Sequence, residues 1–356
     1  MKKLSCLFGS LIALTTSLAF AEQNENQLLR QPQSQKPEAM TAQPKSSITP
    51  AVAPIVLNGV GLIVSADFIW WKTNISGMEY ATNGVVDGGD FVRAGASAKR
   101  GHVAQPDFDF EPGIKVGMGL DFSYDGWDLT AEYTWLHSGM QRNSLSAHRG
   151  SGAIDLLPAV FSDGDFESTH VAKASSRWNQ HFNVLDLELG RNFFISRRLT
   201  LRPHLGLKNA WISEYWRVKS VVAEGSDRLL QRRKQSLWGM GTRAGLDTVW
   251  HFSRNWGLYG DIAVTALWSD FHIRARDKDG RVKTFNTREV ITEVIPVLET
   301  GIGITYMTWF NDEDCAFQVS AGWEEQVWLG FNNFVNSNRT GNLSLHGLTA
   351  KAAIAF

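Results

Sequence analysis

Cysteine is almost absent from this chain. Cys6 and Cys315 are the two in 356 residues. Cys6 lies in a leader-like segment, so one thiol remains, and one thiol cannot form an internal disulfide. The nine histidines show no metal-ligand spacing and Cys315 has no partner thiol, so neither a metal nor a cofactor is expected. Beyond the leader no apolar run reaches about 18 residues, which excludes a transmembrane helix. Phosphate-loop and nucleophile-elbow motifs are missing. A strong excess of positive charge is missing too: 35 basic residues face 36 acidic ones. That balance argues against a nucleic-acid partner. The mean hydropathy of −0.19 is far too low for a helical membrane protein, but a membrane barrel tolerates it, because only every second residue meets lipid.

What the chain does have is glycine (32), tryptophan (14) and a period of two. The first residues read as a secretory signal over 1–21: Lys2 and Lys3, an apolar stretch from Leu4 to Leu18, then Ala19-Phe20-Ala21 as a cleavage site. Losing two lysines leaves 35 − 2 = 33 basic against 36 acidic residues, net −3. Residues 22–54, with Pro32, Pro37, Pro44, Pro50 and Pro54, cannot bury a core and read as a flexible periplasmic tail. Residues 55–356 carry the rest of the argument.

From Gly113 to Trp135, Ile114, Val116, Met118, Leu120 and Phe122 alternate with Lys115, Gly117, Gly119 and Asp121. After Asp125-Gly126 the alternation resumes with Trp127, Leu129, Ala131, Tyr133 and Trp135 against Asp128, Thr130, Glu132 and Thr134. A period of two is a strand, and Asp-Gly suits a hairpin turn. Each arm runs to about eleven residues, longer than an ordinary sandwich strand and enough for a tilted strand to cross a bilayer. The same alternation recurs to Phe356 and gives ten strands. Short connections near 124–126, 194–198, 253–255 and 309–314 alternate with long ones near 74–110, 137–178, 214–235, 270–289 and 331–343. The expected fold is an all-β, transmembrane, antiparallel up-and-down β-barrel of the bacterial outer membrane. The two longest loops could each hide a further hairpin, which leaves twelve or fourteen strands open. Tryptophans near strand ends (Trp70, Trp127, Trp135, Trp211, Trp250, Trp256, Trp268) should form girdles at the headgroup level. Leu120 is expected on the lipid face near mid-depth.

The polar face then lines the interior, with glycine making room for large neighbours. The candidate pore-lining residues are the acidic Asp67, Asp121, Asp128, Glu132, Asp186, Glu188, Asp247, Asp261, Glu299 and Glu324, and the basic Lys115, Arg202, Lys208, Arg243 and Lys351. Their balance is 5 − 10 = −5. Phe356, with Ile354 before it, has the form of the terminal signal read by the barrel-assembly machinery through strand addition.

Two blocks look familiar. Glu111-Pro112-Gly113 through Tyr133-Thr134-Trp135-Leu136, and Phe182-Asn183-Val184-Leu185-Asp186 through Arg202-Pro203-His204-Leu205-Gly206, resemble the pore-forming major outer membrane protein family of Legionella and chlamydia-related bacteria. The likeness covers most of the chain after the leader, and the long loops fit least. It implies a porin-like, surface-exposed protein and carries over no catalytic residue.

The expected function is a narrow diffusion pore for small hydrophilic solutes, and not an enzyme. The alternatives are a closed barrel acting as adhesin or envelope structural protein, and an outer-membrane hydrolase. For the last, an Asp–His pair could activate water: Asp270 with His272, or Asp163, Asp165 and His170. Solvated rim charge is the plainer reading of these residues. Expected partners are the outer-membrane lipid and lipopolysaccharide, the assembly machinery and the solutes, with homo-oligomerisation left open. The lipopolysaccharide expectation rests on loops 214–235 (6 − 3 = +3) and 270–289 (6 − 4 = +2), and within them on Arg232, Arg233 and Lys234.

Overall fold

The structure, a computed structural model, describes residues 60–82, 103–122, 125–146, 154–155, 170–222, 228–280, 282–310, 315–334 and 341–356. The expected leader and tail lie outside the described residues. Ten long strands are present: β1 (Val60–Ile75), β2 (Phe110–Phe122), β3 (Trp127–Ser146), β4 (His170–Arg191), β5 (Leu199–Val222), β6 (Arg228–His251), β7 (Trp256–Asp279), β8 (Val282–Phe310), β9 (Cys315–Asn332) and β10 (Gly341–Ala355). Every strand pairs antiparallel with its chain neighbours, and β1 also pairs with β10. The sheet therefore closes and leaves no edge for lipid to strand unpaired. The seam is completed by Phe356, whose N–H donates to the Leu62 carbonyl at 3.0 Å while Leu62 N–H donates back at 3.1 Å. Asp125 and Gly126 have φ of 61° and 71°, the left-handed pair that a type I′ turn requires.

Within the two longest loops the described residues add only the two-residue strands Ala81–Thr82, Val103–Ala104 and Ile154–Asp155, which extend the sheet beyond the β4 end. They build no additional crossing hairpin, so the described barrel has ten crossing strands.

The long connections expected at 214–235 and 270–289 are instead mostly wall. β5 continues to Val222 and β6 starts at Arg228, while β7 reaches Asp279 and β8 starts at Val282. The reason is an inversion of polarity along each strand. In the lower part of β7, Leu258, Ile262, Val264 and Trp268 face outward and are exposed, while Tyr259 and Asp261 face in. Above Trp268 the outward positions become Asp270, His272, Arg274 and Arg276, and the inward ones, after Ser269, become Phe271, Ile273 and Ala275. β5 does the same: Leu205, Leu207 and Trp211 face out below, and Ser213, Tyr215, Arg217 and Lys219 above. The lower part is thus a membrane barrel with a polar inside. The upper part is a water-facing barrel with an apolar inside. A search for an apolar outer face loses the strand where the solvent changes.

The boundary is marked by aromatic rings. Trp211 and Trp238 are direct cross-strand partners, and Trp268 on the next strand is 64% exposed. At the other end Trp256 packs on Tyr306 with ring centroids 5.0 Å apart, near Trp250 and Phe252. From Trp250 to Trp238 is 250 − 238 = 12 residues of β6. At about 3.4 Å per residue and a tilt of about 40°, this spans ~30 Å of membrane.

Candidate functional site

The interior of the membrane part is a layer of charges. All fifteen candidate pore-lining residues point inward, because they occupy the parity opposite to the exposed apolar side chains of their strands. The five cations are all paired. Lys115 Nζ lies 2.7 Å from Glu324 and 3.4 Å from Glu132. Lys351 bridges Glu132 at 3.4 Å and Asp67 at 3.9 Å. Arg202 donates to Asp128 at 2.5 Å, to Asp247 at 2.6 Å and to Glu188 at 3.4 Å. Lys208, with no exposed surface, sits between Asp186 at 2.7 Å and Glu299 at 2.8 Å. Arg243 reaches Glu188 at 2.9 Å and also pairs with Glu299. Asp121 and Asp261 are the two candidate carboxylates that join no ion pair among the described residues. A deep interior charge is tolerable only when paired in this way.

Glycines permit the crowding. A Cβ on Gly190 would strike the Arg202 guanidinium, one on Gly245 the His204 ring, and one on Gly301 the Asp261 carboxylate. Gly303 and Gly322 likewise leave space for the Tyr259 ring. His204 and Tyr259 belong to this layer although they were not candidates. Both sit at inward parity, and that pattern could have found them. Within the layer a cavity of about 350 Å³ remains, bordered by Asp67, Glu132, Arg243, Tyr259, Asp261 and Lys351 among others.

Above the charges the interior turns aromatic. Trp71 from β1, Phe182 from β4, Trp216 from β5, Phe271 from β7 and Trp328 from β9 are buried almost completely. Phe182 and Trp328 meet edge to face at 5.6 Å. The layer is completed from an unexpected source, the irregular upper end of β9, where its register with β10 shifts between Trp328 and Asn332, and the two residues that follow it; sequence periodicity gave no signal there. Gly330 takes φ of 74°, which turns the chain inward, and Phe331 to Phe334 are all buried. Phe331 packs on Phe271 at 6.1 Å and Phe334 on Trp216 at 6.1 Å. The segment is tied to β6 and β8: Gln235 Nε2 donates to the Phe331 carbonyl at 2.8 Å, Asn333 N–H donates to Gln235 Oε1 at 3.0 Å, and Asn333 Nδ2 donates to Glu293 at 3.0 Å. Two phenylalanines in what read as a polar surface loop were the available hint.

The hydrolase candidates do not assemble. Asp270 and His272 face outward above Trp268, not into the lumen, and Asp270 accepts a hydrogen bond from Thr292 at 2.6 Å. Asp163 and Asp165 lie outside the described residues. His170 begins β4, and β5 and β6 stand between it and β7. Of the basic trio Arg232, Arg233 and Lys234, the central residue is corrected: Arg233 points inward and pairs with the buried Asp277, because adjacent strand residues cannot share a face. Leu120 is corrected too. It lies two residues from the end of β2 and is paired with Leu62, the partner of Phe356, so it stands at the lower rim and not at mid-depth. Phe356 and Ile354 both face outward. No group of three or more His, Cys, Asp or Glu able to hold a metal occurs among the described residues.

No curated protein matches the chain. Among solved structures it is similar to the outer membrane protease OmpT of Escherichia coli, with 10% identity, a TM-score of 0.40, and 87% of this chain and 99% of that one covered. It is also similar to a major outer membrane protein of Thermus thermophilus (11% identity, TM-score 0.29, 84% and 100% covered). A third is the toluene transporter TodX of Pseudomonas putida (8% identity, TM-score 0.30, 88% and 93% covered). Likenesses this distant carry no argument about activity. The family comparison does carry one: the model described as Legionella pneumophila major outer membrane protein precursor matches residues 60–356, which is the whole barrel from the first residue of β1, and the chain therefore belongs to the Legionella major outer membrane protein family, proteins of the outer membrane.

Proposed function

We propose that the barrel is a narrow channel for small hydrophilic solutes, closed in this state by the aromatic layer and opened by withdrawal of Phe331–Phe334. The observation that supports the reading is the nature of the closure. Part of it is the irregular end of β9, where the ladder to β10 is interrupted between Trp328 and Asn332, with Asn333 and Phe334 beyond the strand; this stretch is held by Gln235 and Glu293, and an apolar constriction of this kind gates by excluding water. The charged cavity beneath has the features of a vestibule. Its balance of −5 favours cations, since a low-dielectric channel focuses the field of a few charges.

A second reading, a permanently closed barrel serving as an envelope structural protein, is supported by the pairing of all five lumen cations. Planar-bilayer recordings of the refolded chain and of a Phe331→Ala/Phe334→Ala variant separate the two. The channel reading expects small conductance steps from the parent chain and larger ones from the variant. It also expects a cation preference that fades at 1 M salt, where the screening length is about 3 Å. Silence from both proteins, verified as folded by heat-shifted migration, would establish the closed barrel.

A further inference from the structure

The outward face above the tryptophan boundary carries an arrangement that no ion pairing within the described protein accounts for. Arg142 on β3, Arg177 on β4, Arg217 on β5, Arg232 on β6 and Arg276 on β7 are consecutive register partners, one arginine per strand across five adjacent strands. One rung lower, Tyr215, Lys234, Arg274 and Arg288 are also successive partners, and Lys234 lies 4.8 Å over the Tyr215 ring. None of the five arginines forms an ion pair among the described residues. Arg142 donates to Met140 Sδ at 3.5 Å and to no carboxylate. Directly opposed like charges destabilise a strand pair, and here four such pairings follow one another. Along the rungs runs a groove of about 370 Å³ bordered by Tyr215, Arg177, Arg217, Arg232, Arg274 and Arg276 among others.

We infer that this face binds the phosphates of a glycolipid in the outer leaflet, that is, of lipopolysaccharide. Three observations select that occupant. The groove is continuous with the lipid-contacting belt, since Trp211 and Trp238 lie on the same outward positions of β5 and β6 just below it. Its charge is of one sign, and planar guanidinium forks match phosphate oxygens. Its height discriminates between lipids. Arg232 is 238 − 232 = 6 residues above Trp238, about 20 Å along a strand and ~15 Å along the membrane normal. Tryptophan rings sit at the headgroup level, so a phospholipid phosphate lies beneath the row. A phosphorylated saccharide headgroup rises to meet it.

The test measures binding of purified full-length barrel in detergent to three probes: phosphorylated rough lipopolysaccharide, the same material after chemical dephosphorylation, and inorganic phosphate. The expected result is strong binding of the first, weak binding of the second, and no competition from millimolar inorganic phosphate. An Arg217→Gln/Arg232→Gln/Arg276→Gln variant should bind the phosphorylated lipid roughly tenfold more weakly or worse, since charge-assisted contacts are among the stronger hydrogen bonds. An Arg197→Gln/Arg198→Gln/Arg254→Gln control, altered in the exposed turns at the opposite end, should bind as the parent does. Equal affinity of the parent for phosphorylated and dephosphorylated lipid overturns the proposal, and this comparison needs no variant to fold. Unchanged binding by a folded triple variant also overturns it. Displacement by inorganic phosphate would reduce the face to a general anion site and reject the lipid.

Discussion

An arginine placed on the lipid face of β2 should cost stability according to depth, and the structure assigns the depths. The strand runs from Phe110, whose ring lies 5.4 Å from that of Trp70 at the upper boundary, to Phe122. Val116 is six residues from each end and 46% exposed. With a rise of about 3.4 Å and a tilt of about 40°, it lies ~15 Å from either boundary, at the bilayer centre. Leu120 lies beside Leu62 and level with Phe356. A guanidinium at the midplane of a barrel wall costs about 2–4 kcal/mol, and near the interface about 0–1 kcal/mol. Val116→Arg should therefore lose about 2 kcal/mol or more relative to Leu120→Arg. Gly117→Arg, between them in sequence, points inward against Ser65 Oγ and should act by disrupting lumen packing, with altered or abolished folding. The assay is equilibrium urea unfolding of each variant in lipid vesicles, followed by tryptophan fluorescence. A Leu120→Arg penalty equal to or larger than that of Val116→Arg would refute the assigned depth. A mild Val116→Arg beside a Gly117→Arg loss of about 2–4 kcal/mol would refute the register itself, since a slip of one residue exchanges the two faces.

Two further outcomes are expected. Lys208→Met removes the ammonium held between Asp186 and Glu299 and leaves Arg243 to face both buried carboxylates, so the same unfolding assay should register a loss of about 3–5 kcal/mol; a change below about 1 kcal/mol would mean that Arg243 and water compensate the two charges. Deleting Phe356 removes both hydrogen bonds that tie the chain end to Leu62, so the truncated protein should insert poorly into the outer membrane, and normal levels in isolated envelopes would count against an assembly role.

Much of the lower barrel was legible in the sequence. Strand parity, the fifteen inward side chains and the glycine gaps follow from a period of two, and that period is written locally, residue by residue. The upper wall was not legible by the same rule. At Trp268 the outside solvent changes from lipid to water, so Arg274 and Arg276 read as loop charge although they continue the ladder of Leu258 and Ile262. Leu120 was misplaced in depth because alternation states which face a residue occupies but not how far along the barrel axis it lies. Phe331 and Phe334 were missed for a different reason: their burial depends on Gln235, some hundred residues earlier in the chain, and no local pattern encodes a meeting of that range.

The inversion of polarity at the tryptophan boundary has a consequence for how the ten strands find their alignment. Simple alternation is degenerate: sliding one strand past another by two residues keeps every greasy side chain on the greasy side, so such slips go unpunished. Here each strand carries a phase marker as well as an alternation. A two-residue slide of β7 along β6 would displace Trp268, now opposite Met240, and Asp270, now opposite Trp238, relative to the boundary, driving a charge into hydrocarbon on one side or an aliphatic group into water on the other. The marker thus works like the zero line on a ruler, fixing the stagger of the hydrogen-bonded ladders around the ring. For a closed sheet, that stagger together with the strand number sets the tilt and the width of the lumen.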